Sequence, residues 1–187
     1  MSKPNKVTKA IRVAGKTLSF RNACLDDAAF ILTLRTDPKK SQYLSAVGGD
    51  LASQQAWLVG YEKSDNQAYF IIENNSQEIG TVRLYDPQGE SFCWGSWILA
   101  DSCNGQAAIE SALMVYAYAI DFLGFTAAHF DVRKTNERVW HFHERFGAVR
   151  VGETELDYLY RLNLTSIQVA RKRYSKFLPD GIKVLES

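Results

Sequence analysis

The 187 residues have the length of a single domain, which can bury a hydrophobic core without disulfides or a structural metal. With 46% hydrophobic residues, 23% charged residues and a net charge of +1, the composition is that of a folded globular protein, and neither nucleic acid nor a membrane surface is an expected partner. Residues 1–13 lack the apolar run of a secretory signal, and the three cysteines form no paired motif, so we expect a reduced, cytoplasmic protein.

Hydrophobic periodicity and turn residues predict an alternating series of strands and helices. In chain order these are a hairpin over 7–13 and 17–21, helices over 26–35 and 53–62 (the second capped by Ser53), strands over 68–73, 78–85 and 92–99, a helix over 106–123, a strand over 127–132, a helix over 136–146, a strand over 156–164 and a helix over 167–177. The residues before Thr17 are alternatively a plain N-terminal extension.

The order of these elements predicts the fold class. The three strands between 68 and 99 are joined by short turns and form an antiparallel meander. The strand, helix and strand between 92 and 132 require a right-handed crossover, which creates one parallel pair. We therefore predict an α+β fold with a mixed, mostly antiparallel sheet. The predicted divisions are residues 1–16 as an extension or short hairpin, 17–164 as the domain, and 165–187 as a C-terminal helix and tail.

The turn after the third meander strand is a candidate anion site. Residues 97–110, WILADSCNGQAAIE, read as strand, small-residue turn and helix. Such a turn offers backbone N–H groups and the positive end of a helix dipole, which suit a diphosphate. The same pattern also fits an ordinary tightly packed loop.

A second candidate segment is the helix around Asn136 and His143, with the sequence NERVWHFHERFGA. Its apolar residues share a core face, and Asn136 and His143 lie between that face and the solvent-facing residues. His143 is either a functional imidazole or a half-buried residue at the edge of a helix.

These two segments, in this order and separated by the strand over 127–132, resemble the acetyl-CoA core of the GNAT (GCN5-related) N-acetyltransferase superfamily. The first resembles its Q/R-x-x-G-x-G/A loop, with Cys103, Gln106 and Ala108, or in a shifted register Ser102, Gly105 and Ala107, at the motif positions. The second resembles its asparagine-containing helix, which ends in aromatic-Glu-Lys/Arg-x-Gly. The resemblance covers roughly residues 17–164 and implies helices on both faces of the sheet.

The resemblance implies where acetyl-CoA binds and which residues take part in catalysis. Pantetheine would enter a gap where two strands part after Gly95, next to the backbone of Trp97, Ile98 and Leu99 and to Asn136. The diphosphate would rest on Cys103, Asn104, Gly105, Gln106, Ala107 and Ala108. In many GNAT enzymes a tyrosine stands where this chain has His143, which we assign as the acid. Glu90 and Asp131 are candidate bases for the amine, and are alternatively surface carboxylates. No metal is expected.

The acceptor is less well defined than the donor. Arg35, Trp57, Arg83, Tyr85 and Trp94 are on elements that would line an acceptor cleft and are the candidate substrate-binding residues. The resemblance is nearest to two GNAT branches, one that acetylates nucleotide-linked amino sugars and one that acetylates the N-termini of ribosomal proteins. A cleft with arginine and aromatic residues favours the nucleotide-linked sugar, which is a small-molecule amine. There are three alternatives. The acceptor is a protein N-terminus, as in ribosomal-protein acetyltransferases; the protein is a catalytically silent CoA-binding module; or it is a small α/β protein without a CoA site. The oligomeric state stays open.

Overall fold

A computed structural model describes residues 5–44 and 49–186 of the chain. The predicted extension therefore begins with four residues that lie outside the described residues. The strands are β1 (Ala10–Ala14), β2 (Leu18–Asn22), β3 (Ala68–Asn74), β4 (Gln77–Gln88), β5 (Ser91–Leu99), β6 (Ala127–Arg133), β7 (Val149–Glu153), β8 (Asp157–Asn163) and β9 (Lys183–Glu186). The α-helices are α1 (Ala28–Thr36), α2 (Pro38–Ser41), α3 (Leu51–Glu62), α4 (Gly105–Ala117), α5 (Glu137–Arg145) and α6 (Leu164–Arg173).

All of these strands form one sheet in the order β7-β8-β6-β5-β4-β3-β2-β1-β9. Every pairing is antiparallel except that of β5 with β6, which is parallel. The predicted mixed, mostly antiparallel sheet with one parallel pair is therefore confirmed. Sequence reasoning missed β7 and β9, which are the two edge strands.

Helices cover both faces of the sheet, as the resemblance implied. The larger core lies beneath α4, α5 and α6 and includes Phe92, Tyr116 and Phe146. A smaller cluster beneath α1 and α3 contains Ile31 and Leu58. The two faces of the sheet are therefore covered by different sets of helices, and successive side chains of each central strand contact first one set and then the other. Within the described residues, no helix combines the length and apolarity needed to cross a membrane.

Helix α4 is fixed to the sheet by a buried carboxylate. Glu110 accepts hydrogen bonds from Thr17 N (2.6 Å), Thr17 Oγ1 (2.6 Å) and Leu18 N (2.9 Å) at the turn between β1 and β2. A buried charge costs little only when such donors surround it. Gly15 in the same turn has no room for a side chain, because a Cβ there would lie 2.5 Å from Met114 Sδ. These contacts fix the helix whose N-terminus carries the predicted diphosphate residues.

The helix boundaries differ from the prediction at several places, including α6, which covers Leu164–Arg173 rather than 167–177. Asp50, rather than Ser53, caps α3: its carboxylate accepts the Ser53 N–H at 2.8 Å and the Ser53 hydroxyl at 2.9 Å. The predicted helix over 106–123 is α4 followed by a π-helical turn, Tyr118–Phe122. Gly124 follows with a φ of +82°, a conformation that glycine adopts without strain.

Candidate active site

The candidate site is the gap that opens where β5 and β6 part. The two parallel strands are paired at Ser91–Ala127, Phe92–Ala128 and Cys93–His129, and the pairing ends there. The gap is lined by Tyr43, Leu44, Trp94, Gly95, Ser96, Trp97, Phe130, Asp131, Val132, Arg133, Asn136, Val139, His143 and Asp157. Sequence analysis expected the opening after Gly95, and the structure opens it two residues earlier.

A β-bulge in β5 shapes one wall of the gap. Thr81 pairs with Ile98 and Arg83 pairs with Gly95, so that two residues of β5 stand opposite one residue of β4. Ser96 carries the distortion with a φ of +46°, and its carbonyl accepts the Thr81 hydroxyl at 2.8 Å. A bulge bends its strand and re-aims the side chains that follow it. The extra residue places Trp94 and Trp97 on the same face of the sheet, with their rings 5.3 Å apart.

In the ranges that the structure describes, the segment of β5 from Trp97 to Leu99 is paired with a neighbouring strand on one side only. Its pairing partners in β4 include Thr81 and Gly80. No pairing to β6 is present beyond Cys93 in this part of the described chain. The unpaired edge has the free backbone groups that an extended pantetheine arm needs. The Trp97 ring is held on the side of α4 by a hydrogen bond from its Nε1 to Ser111 Oγ at 3.1 Å.

The loop before α4 carries the predicted diphosphate residues, and none of them is among the residues that line the gap. Asn104 caps the helix, and its Oδ1 accepts from Gln106 N at 3.1 Å and Ala107 N at 3.2 Å. Gly105 and Gln106 are exposed, Ala108 is half-buried and Ala107 is buried. The arrangement is an exposed helix N-terminus at which one side chain already uses two of the backbone donors.

Cys103 in this loop is a packing residue. Its thiol lies 3.6 Å from the Ile79 carbonyl, and burial raises the pKa of Cys103 above that of a free thiol. A raised pKa disfavours the thiolate that nucleophilic catalysis requires.

The loop is also tied to α2, because Lys40 Nζ lies 2.7 Å from both Asp101 and Asp37.

His143 is buried in an aromatic cage at the floor of the gap. Only 5% of the residue is exposed, and its ring centroid lies 4.2 Å from that of Phe130 and 5.1 Å from that of Trp94. Burial lowers the pKa of His143 to about 3, so the imidazole is neutral at physiological pH. Its Nδ1 has no hydrogen-bond partner among the described residues. At physiological pH the ring is an uncharged hydrogen-bonding group, and the assignment of His143 as the acid stays a prediction.

The two candidate bases occupy different places. Asp131 lines the gap. Its side chain is on the face of β6 opposite to that of its neighbours Phe130 and Val132, which are buried. Loss of solvation and the nearby charge of Asp157 raise the pKa of Asp131. Glu90 is exposed in the turn before β5, at the closed end of the strand pair, and does not line the gap. The structure therefore brings Asp131, but not Glu90, to the site.

The predicted acceptor residues fall on two sides of the sheet. Arg83 and Tyr85 alternate with buried Val82 and Leu84 and face α1 and α3. Trp57 on α3 stacks over the Arg83 guanidinium, and Arg35 on α1 lies beside Tyr69 on the same face.

Trp94 lies on the opposite face from these residues. It is 3% exposed and packs against Tyr116, Phe130 and His143 beneath α4 and α5. Its side chain therefore borders the donor side of the gap rather than an acceptor cleft.

Several lining residues were not anticipated from the sequence. They are Leu44, Ser96, Phe130, Val132, Arg133, Val139 and Asp157. Phe130 and Val132 follow the ordinary alternation of a buried strand, which carries no sign of a site. Asn136, which was anticipated, begins α5 without using its side chain as a cap. Its carboxamide is therefore not committed to the helix it precedes.

Comparison with known proteins defines the class to which this fold and gap belong. The family model for the acetyltransferase (GNAT) domain matches residues 17–149. The solved structure of FdhC in its apo form, described as a nucleotide-linked sugar GNAT, is 37% identical with a TM-score of 0.77, and the match covers 89% of this chain and 98% of that one. The fold is thus that of acyl-CoA N-acetyltransferases. The chain belongs to the GNAT acetyltransferase family, which confirms the resemblance.

More distant structures share the fold. A GCN5-related N-acetyltransferase from Brucella melitensis is 16% identical with a TM-score of 0.78, and the match covers 96% of this chain and 90% of that one. A spermidine N-acetyltransferase from Vibrio cholerae, solved with CoA and spermine, is 16% identical with a TM-score of 0.70, over 81% of this chain and 98% of that one. A search of curated proteins gives no match.

Proposed function

We propose that this protein transfers the acetyl group of acetyl-CoA to the amino group of a nucleotide-linked amino sugar. The observation that carries the choice of acceptor is the 37% identity, over 89% of this chain, to a protein described as a nucleotide-linked sugar GNAT. The gap beside the open edge of β5 supports the choice of donor.

The residues around the gap fit acetyl-CoA, which supplies an activated thioester. The backbone of Trp97, Ile98 and Leu99 would pair with the pantetheine arm, and Asn136 would hold the arm from α5. The N-terminus of α4, from Cys103 to Ala108, would receive the diphosphate. A backbone N–H at Trp97 or Ile98 would donate to the thioester carbonyl, where negative charge develops during transfer.

Asp131 is the residue that we assign to remove the proton from the acceptor amine. An alkylammonium group with a pKa of about 10 has to lose a proton before it can attack. The raised pKa of Asp131 makes its carboxylate a stronger base than an aspartate with an ordinary pKa. Its position on the wall of the gap allows contact directly or through one water. Glu90 stays a weaker candidate, since it is at the closed end of the strand pair.

His143 is assigned a role as a neutral hydrogen-bond donor. With its pKa near 3, the ring keeps one N–H at physiological pH and carries no charge. That N–H would stabilise the departing thiolate, which needs little help because a thiol has a pKa of about 8.5. The ring is held for this purpose by Phe130 and Trp94.

The function is tested with the purified protein, acetyl-CoA and a panel of amines. The panel contains uridine- and thymidine-diphosphate-linked amino sugars, the same sugars without nucleotide, spermidine, and peptides that carry ribosomal-protein N-termini. Release of CoA is followed with a thiol reagent, and the product is identified by mass spectrometry. We expect the highest kcat/KM with a nucleotide-linked amino sugar. A higher value with a peptide or with spermidine contradicts the proposal.

One observation favours a second candidate, a catalytically silent CoA-binding module. The Asn104 side chain occupies two of the N–H groups that a diphosphate would use, which weakens the anion site. Binding of acetyl-CoA, seen as a rise in Tm, without turnover of any amine in the panel would support this alternative.

A further inference from the structure

Arg83 is a half-buried cation that has no carboxylate partner in the described part of the chain. Five other arginines, Arg12, Arg21, Arg133, Arg150 and Arg171, each form an ion pair with an aspartate or glutamate. The Arg83 guanidinium instead donates from both Nε, at 2.9 Å, and Nη2 to the neutral Oε1 of Gln67. Loss of solvation lowers the pKa of Arg83. A desolvated charge without a counter-charge is costly, and such an arrangement is typical of a site that receives an anion.

The guanidinium is also held in one orientation. It lies 4.5 Å from the ring centroid of Tyr85 and 5.2 Å from that of Trp57. Gln67 is itself fixed by a hydrogen bond from its Nε2 to Ser64 Oγ at 2.6 Å. An arginine that is oriented before the ligand arrives loses little side-chain entropy on binding a phosphate through two parallel hydrogen bonds.

The position of Arg83 relates it to the reaction site. Arg83 pairs with Gly95 across β4 and β5, and Gly95 lines the gap. Neighbouring strands are about 4.8 Å apart, so the cation is one strand away from the proposed transfer point. Because α4 lies on the opposite face, the acceptor reaches the gap from the face that carries α1, α3 and Arg83. A sugar whose amine enters the gap would direct its anomeric substituent toward this cation.

Trp57 extends the same surface away from the gap. The indole is parallel to the ring of Tyr61, at 5.8 Å and an interplanar angle of 3°. The residue remains 39% exposed, which makes it a large aromatic surface fixed in place but open to solvent. Nucleobases stack on such surfaces regardless of sequence.

We propose that Arg83 and Trp57 form a nucleoside diphosphate subsite, in which the guanidinium binds the diphosphate of the acceptor and the indole stacks on its base. The subsite rests on the proposed function, because it names what part of a nucleotide-linked sugar is recognised and where. It makes the nucleotide, rather than the sugar, the main determinant of acceptor affinity.

The test is the binding of thymidine diphosphate and uridine diphosphate by calorimetry to protein saturated with CoA. The CoA occupies the diphosphate site at α4, so that added nucleotide reports only on the acceptor side. Arg83→Met keeps the length of the side chain and removes its charge, and Arg83→Lys keeps the charge without the planar fork. Arg171→Met is the matched control, since Arg171 is on α6, across the sheet from Arg83, where it pairs with Asp121 of the π-helical turn.

We expect nucleotide affinity to fall about 10- to 100-fold in Arg83→Met and by a smaller factor in Arg83→Lys, and to stay unchanged in Arg171→Met. Trp57→Leu should also weaken binding, and the KM for the nucleotide-linked sugar should rise in parallel. Equal affinity of wild type and Arg83→Met, or no nucleotide binding by the wild type, overturns the subsite. If the wild type binds nucleotide through Arg83 but acetylates no nucleotide-linked sugar, the proposed function fails while the subsite stands.

Discussion

Replacing Asn104 by aspartate separates the stability of α4 from its affinity for the donor. The new carboxylate keeps the capping geometry, in which Oδ1 lies 3.1 Å from Gln106 N and 3.2 Å from Ala107 N. Aspartate and asparagine are about equally good caps, and the added charge at the helix N-terminus contributes about 0.3–1 kcal/mol of stability. Asn104→Asp should therefore unfold at the same temperature as the wild type or slightly higher.

The same charge opposes the diphosphate of acetyl-CoA if that group binds at α4. Two unit charges about 4 Å apart repel by about 1 kcal/mol in water and about 4 kcal/mol at the effective dielectric of a protein surface. A penalty of about 1–3 kcal/mol corresponds to an affinity about 5- to 150-fold weaker. Salt screens this repulsion, so the difference from the wild type should shrink as ionic strength rises.

The assay is calorimetric titration with acetyl-CoA at two salt concentrations, beside thermal unfolding of the unliganded protein. Asn163→Asp is the matched control, because Asn163 caps α6 in the same way, accepting from Ser166 N at 2.9 Å. The control should gain the same small stability and keep its affinity for acetyl-CoA. If Asn104→Asp binds acetyl-CoA as tightly as this control does, the diphosphate does not bind at the start of α4.

Two further substitutions test the wall of the gap and its base. Gly80→Ala places a Cβ 2.4 Å from a backbone carbonyl of β5, so we expect the free energy of unfolding to fall by about 1–3 kcal/mol, with Tm falling by about 2–4 °C per kcal/mol. Gly60→Ala is the control: a Cβ at this exposed position of α3 meets nothing within 4 Å, so this substitution should raise Tm. An unchanged Tm in Gly80→Ala would contradict the close packing of β4 against β5. Asp131→Asn should lower kcat/KM and abolish its fall at acidic pH, where the raised pKa protonates Asp131, whereas Glu90→Gln should leave both unchanged. A carboxyl group whose pKa is raised by folding costs the folded state stability as the pH rises through that pKa, so Asp131→Asn should not lower Tm at neutral pH. A stable Asp131→Asn variant with full activity would show that Asp131 is not the base.

The central part of the fold was predictable because its signals are local. Turn residues separate β3, β4 and β5, and a long apolar helix between two strands requires a crossover, which gives the parallel pair. The edge strands β7 and β9 were missed because each is short and largely exposed, and β9 also pairs with β1, which is distant in sequence. Val149 and Val151 of β7 are exposed, so the strand has no buried side to produce a recognisable alternation.

The candidate site was predictable only where the chain resembles its family. The gap and the residues Asn136 and His143 followed from the resemblance. The position of Trp97 on the same face as Trp94 did not, because the bulge at Ser96 adds one residue and breaks the alternation of two on which such assignments depend. The neutral state of His143 depends on Phe130 and Trp94, which reach it from separate strands. Neither fact has a local signal in the sequence.

The bulge in β5 also gives the protein an intrinsic optical probe. It brings the indoles of Trp94 and Trp97 to a centroid separation of 5.3 Å at an inclination of 51°, a geometry in which their electronic transitions couple. Coupled indoles produce a paired circular dichroism signal in the ultraviolet whose sign and size follow their mutual angle. Because both residues line the gap, a ligand that enters the gap should change this dichroism in the unlabelled protein.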